Sequence, residues 1–134
     1  MLASRFYRLL LACLPEGFSV WKEEPLTFLD SEPEPDISVT RGAEQDYSKA
    51  HPTTAELVIE IAVSSAALDR ANADLYAEAG INEYWIVLAS EQRIEVYRRP
   101  TEGHYQERFL CAPSDTLQCV SLPKIQLRVS ELFA

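Results

Sequence analysis

The chain reads as an α/β protein with a central mixed β-sheet flanked by helices. Three observations point there. Residues 56–63 form an apolar run in which both alternating faces are largely covered, as expected of a central strand. Residues 2–13 and 66–79 place apolar side chains at helical spacing, one face of each facing a core. Short alternating runs follow at 84–88, 93–97 and 105–110, bounded by turn residues. The order helix, strands, helix, strands is that of a mixed α/β sandwich.

Each element has its own justification. Leu2, Phe6, Leu9, Leu10 and Cys13 share one side of the first helix, and Pro15-Glu16-Gly17 ends it. Phe18-Ser19-Val20-Trp21 alternates as a strand, and Pro25-Leu26-Thr27-Phe28 predicts a second short one. Pro33-Glu34-Pro35 enforces an extended approach to the strand that opens at Asp36. Residues 41–55 are polar and read as a loop. In the run 56–63, Leu57, Ile59, Ile61 and Val63 share one face, while Val58, Glu60 and Ala62 share the other.

Ser64-Ser65 offers N-caps for one helix over 66–79, and Gly80 is its natural stop. Leu68, Asn72, Leu75, Tyr76 and Ala79 fall on its inward face. Arg70, Asp74 and Glu78 lie on another and predict solvent-exposed ion pairs. Glu102-Gly103 turns the last two long strands. A further strand is expected near Gln118-Cys119-Val120, then a helical turn at residues 130–133.

Size and charge narrow the function classes. At 134 residues the chain is long enough for one domain, residues 1–134, with its own core. Twelve basic and 21 acidic side chains give a net charge of −9. That balance argues against strong nonspecific nucleic-acid binding, which relies on phosphate contacts by cations. Arg93, Arg98, Arg99 and Lys124 are the best basic patch available. Cys13, Cys111 and Cys119 are odd in number and lack CxxC spacing, so reduced core thiols are expected rather than zinc or disulfides. Arg8 leaves too short an apolar run before Cys13 for a lipoprotein leader. No stretch spans a bilayer, and the expected location is cytoplasmic.

Two acids carry the chemistry. Asp36 opens the apolar stretch Ile37-Ser38-Val39, and Glu60 lies inside the run 56–63. A carboxylate in a buried strand is costly unless something compensates it. Where two converge, a divalent cation is the usual compensation. Mg²⁺ or Mn²⁺ is therefore the expected cofactor, with Asp36 and Glu60 as metal ligands. Asp36, following proline, also has the blander option of capping a turn.

The ordered set Pro35-Asp36, then Leu57-Val58-Ile59-Glu60-Ile61-Ala62-Val63-Ser64, then Leu75-Tyr76-Ala77-Glu78-Ala79-Gly80-Ile81-Asn82-Glu83-Tyr84-Trp85 is distinctive. It resembles the Uma-two type restriction-endonuclease family, a bacterial branch of the PD-(D/E)XK nuclease superfamily. The resemblance implies a restriction endonuclease-like fold and metal-dependent cleavage of DNA, with Asp36 and Glu60 matching the two metal-binding acids. It also implies a lysine, either two residues after the second acid or one helical turn before Leu75-Tyr76. Those places hold Ala62 and Asn72.

Asn72 is thus the third candidate catalytic position. Asparagine orients a water but supplies no charge, so weakened or absent cleavage is expected. Lys49 and Arg70 are the substitutes on offer, although Arg70 lies about 200° from Asn72 round the helix and should point away. A second reading of the same residues is a degenerate nuclease fold serving as a binding or dimeric scaffold module. Tyr76, Tyr84 and Trp85 read as core or subunit-interface aromatics.

Overall fold

The protein is described here by a computed structural model covering residues 2–134. Helix α1 spans Leu2–Cys13, followed by β1 (Phe18–Lys22) and β2 (Ile37–Arg41). After a 3₁₀ turn at Glu44–Tyr47 come β3 (Leu57–Ala62), α2 (Ala67–Ala71), α3 (Ala73–Glu78) and β4 (Glu83–Leu88). The long hairpin β5 (Arg93–Thr101) and β6 (His104–Cys111) follows, then β7 (Thr116–Gln118) and β8 (Gln126–Arg128). A 3₁₀ turn at Val129–Phe133 closes the chain against α1.

Strands β1 to β6 lie in sequence order in one sheet, with β7 and β8 paired separately. All neighbours are antiparallel except β3 and β4, which run parallel. The intervening α2–α3 segment supplies the crossover that a parallel pair needs. The sheet is therefore mixed, with helices on both faces.

Each face has its own core. One gathers Ile37, Val39, Leu57, Ile59, Trp85 and Val87 beneath α1 and the C-terminal segment. The other gathers Val58, Ala62, Tyr84 and Ile86 beneath α2 and α3, through Ala73, Tyr76 and Ala77. This is why the run 57–62 is apolar on both faces. Trp85, Tyr76 and Tyr84 are fully buried in the core.

Three expectations need correcting, and one strand adds to them. Pro25–Phe28 is not a strand; Leu26 N–H bonds Pro33 O and Phe28 N–H bonds Ser31 O, so the segment closes a loop on itself. Residues 66–79 are not one helix, because Asn72 ends α2 and begins α3 with φ −79° and ψ −6°. Asparagine competes for backbone hydrogen bonds and is a poor interior helix residue. Ser65 Oγ does accept the Ala67 N–H at 3.2 Å, but the N-cap position itself is Ala66. Strand β8 was not foreseen, being three residues long with only Leu127 buried.

Gly80 stops α3 as expected. At φ +77°, its N–H bonds Ala77 O, and Ile81 N–H reaches back to Tyr76 O at 3.1 Å. That is the Schellman arrangement, with Ile81 and Tyr76 in the same apolar cluster. Among the described residues, no helix is long and apolar enough to cross a membrane.

Candidate active site

The β2–β3 register sets the site. Ile37 pairs with Ile59, and continuing the antiparallel register places Asp36 directly opposite Glu60. Opposed residues in an antiparallel pair project from the same face. The two acids therefore face the α2–α3 side together, at the end of the β2–β3 ladder.

They are joined through the backbone. Asp36 N–H donates to Glu60 Oε1 at 2.8 Å, and Ile61 N–H donates to Asp36 Oδ2 at 2.7 Å. Each carboxylate thus takes a donor from the other's strand, using one of its two oxygens. The second oxygen of Glu60, Oε2, accepts the Tyr76 hydroxyl at 3.3 Å.

Electrostatics distinguishes this site from an ordinary ion pair. Burial pushes the Glu60 carboxyl up to about 7, and repulsion from Asp36 and Asp69 adds to the rise despite the lowering bonds from Asp36 N–H and Tyr76. Asp69 is likewise raised, by burial and then by the charge of Asp36. No cation is among the groups that set either acid. Asp69, on α2, has its carbonyl bound by the Tyr84 hydroxyl at 2.8 Å, which ties that helix to the sheet. Among the described residues, no three His, Cys, Asp or Glu side chains are grouped so as to hold a metal ion.

Asn72 is half-buried at the junction of α2 and α3, and no hydrogen bond joins its side chain to Asp36 or Glu60. Ala62 is buried on the same face as Glu60. From this segment the charge of Asp69 reaches Glu60, and Tyr76 bonds it. Both were legible in principle, since they stand three residues before and four after Asn72 and share its helical side.

Arg70 corrects another expectation. It does not pair with Asp74 or Glu78 at the surface. Its Nε and Nη2 both bond Glu95 on β5, at 3.0–3.2 Å. Asp74 instead meets His104 at 3.1 Å. The expected basic patch also disperses: Arg98 pairs with buried Glu83 at 3.1 Å, and Arg99 with Glu107 at 3.6 Å.

Comparisons with known proteins give the family and the fold. Residues 2–130 match a family described as "Putative restriction endonuclease". The chain belongs to the Uma2 family. Its fold is shared with a crystal structure titled as a putative nuclease belonging to DUF820 from Anabaena variabilis ATCC 29413. That protein is 22% identical, with a TM-score of 0.81 over 98% of this chain and 78% of its own. No curated protein matches.

The segment 75–85, part of the pattern shared with the Uma2 family, is mainly architectural in this protein. Tyr76 steadies Glu60, Gly80 closes α3, and Tyr84 holds α2. Glu83 points to the opposite face, where its Oε2 takes the Trp85 indole N–H at 2.7 Å and its Oε1 takes Val120 N–H at 3.0 Å. The Arg98 Nε facing it is close but misaligned for a hydrogen bond. That glutamate fastens the C-terminal hairpin to the sheet.

Proposed function

We propose that this chain is a metal-dependent DNA endonuclease of the PD-(D/E)XK type, working as one domain over residues 1–134 in the cytoplasm. The supporting observation is the placement of Asp36 and Glu60, opposite one another on one face, with the charge of Asp69 also reaching Glu60 and no cation among the groups that set Glu60. Carboxylate oxygens are the donors that Mg²⁺ and Mn²⁺ prefer. Burial raises Glu60 to about 7 and the charges of Asp36 and Asp69 add to it, an environment that a divalent cation would relieve. The residues present fit the ion.

Asp36 and Glu60 would hold it. When bound, such a cation stabilises charge on the phosphoryl oxygens and lowers the pKa of an attacking water. The protein's own part is positional. The Asp36 and Ile61 N–H groups fix one oxygen of each carboxylate, and the Tyr76 hydroxyl restrains the other oxygen of Glu60. Asn72 and Ala62 contribute no positive charge where the superfamily carries lysine. Cleavage is therefore expected to be slow.

Plasmid nicking with Mn²⁺ tests this reading. Nicking by the wild type that Asp36→Ala removes supports it; nicking that survives Asp36→Ala contradicts it. The absent lysine also favours a second reading, a degenerate nuclease fold that binds DNA or a second copy of itself without cutting. No nicking by the wild type, with nicking gained by Asn72→Lys, selects that alternative.

A further inference from the structure

Across the sheet, Glu60 on β3 is level with Ile86 on β4 and Glu95 on β5. Glu60 and Glu95 therefore stand on the same face, two strand spacings apart, which is roughly 10 Å. Their surroundings are opposite in sign. Glu60 stands opposite Asp36 and feels the charge of Asp69, whereas Glu95 meets two cations, Arg70 and Arg108.

Glu95 is buried, its side chain 4% exposed, and it accepts bonds from both Arg70 and Tyr97. Arg108 Nη2 reaches its Oε1 at 3.1 Å. Burial alone would raise this carboxyl, but the donors and charges of Arg70, Tyr97 and Arg108 hold it below the ordinary range. Its bonding capacity is taken up by these groups. The two guanidinium groups are not saturated: Arg70 spends two of its five N–H donors on Glu95, and Arg108 meets it as an ion pair without an aligned hydrogen bond. Both remain open to solvent, at 44% and 56%. Arg108 also lies over the Tyr97 ring, 5.5 Å from its centroid, so both forks are held in place before any ligand arrives.

We propose that Arg70 and Arg108, held side by side by Glu95, form a phosphate-binding subsite for the nucleic-acid backbone next to the Asp36–Glu60 pair. The proposal rests on the nuclease reading and names how that site takes its substrate. A polyanion approaching the Asp36–Glu60 pair in a chain of net charge −9 needs a cationic hold close by. Two arginines sharing one carboxylate leave a net positive charge at that distance. Preset guanidinium forks match phosphate oxygens better than mobile ammonium groups do.

The test is fluorescence anisotropy of a labelled DNA oligonucleotide with Ca²⁺, across a range of salt. For the Arg70→Gln/Arg108→Gln double variant, affinity is expected to fall about tenfold, and the log–log salt slope by about 1.4–1.8, as for two lost phosphate contacts. Mn²⁺ affinity should be unchanged. Glu95→Gln separates binding from folding, because it removes the holding charge and leaves both arginines. It is expected to melt at lower temperature and, with its forks no longer preset, to bind DNA more weakly than the wild type but more tightly than the double variant, with the salt slope kept.

An unchanged affinity and slope in the double variant overturns the subsite, as does a lost salt slope in Glu95→Gln. The nuclease reading fails separately, if Asp36→Ala leaves Mn²⁺ binding intact whatever the arginine variants do. A wild type that binds no DNA at any salt concentration overturns both.

Discussion

Asp36 and Glu60 exchange backbone donors across the β2–β3 ladder: each carboxylate accepts an N–H from the strand that carries the other. The exchange explains how two like charges are kept close without a neighbouring cation. Each is partly solvated by an amide, and each retains an oxygen outside those bonds. The cost appears at Glu60, whose carboxyl rises to about 7.

That rise makes the metal-free stability pH-dependent. The folded value exceeds the ordinary 4.5, so Glu60 takes up a proton on folding. The associated stability is fully present below about 4.5 and is lost as pH climbs through about 7, a difference of about 3 kcal/mol. Thermal melts in a chelating buffer should therefore give a higher Tm at pH 5.5 than at pH 8. Glu60→Gln should flatten that difference, and a profile unaffected by the substitution would refute the assignment.

The missing positive charge is testable by restoring it. Asn72→Lys should raise Mn²⁺-dependent nicking by about 10²–10³, the scale of a single preset electrostatic contact. Asn72 is half-buried and its side chain makes no hydrogen bond to the acids, so the melting temperature should change little. A lysine variant that folds and metallates like the wild type, yet cuts no faster, would remove Asn72 from the site.

Glu83 and Arg98 make a contrasting pair with a structural duty. Glu83→Ala takes the charge partner from half-buried Arg98, leaving it the Gln118 carbonyl and the Phe109 ring, and releases the Trp85 indole and Val120 N–H. Removing one member of a buried pair typically costs about 3–5 kcal/mol. Urea unfolding followed by tryptophan fluorescence should show that loss, with Mn²⁺ affinity retained in the folded fraction. A loss below about 1 kcal/mol would mean that the C-terminal hairpin is held by its apolar contacts instead.

Much of this architecture was legible in the residues themselves. The double-sided apolar run of β3 marked a central strand, and Gly80 marked the end of α3, because burial and positive φ each leave a compositional trace. The opposition of Asp36 and Glu60 left a weaker one, two acids at apolar strand positions. What stayed hidden depends on tertiary partners. Nothing local says that Arg70 reaches Glu95 rather than Asp74, or that Pro25–Phe28 bonds within its own loop. The break at Asn72 was foreseeable from its helix propensity, but the inward face of the whole stretch masked it.

Isothermal titration of Mn²⁺ into the metal-stripped protein examines the shared cation most directly. Saturable binding by the wild type, abolished by Asp36→Ala and by Glu60→Ala while both variants remain folded, is the predicted result. Binding that persists undiminished in either variant, or no binding by the wild type, would contradict it.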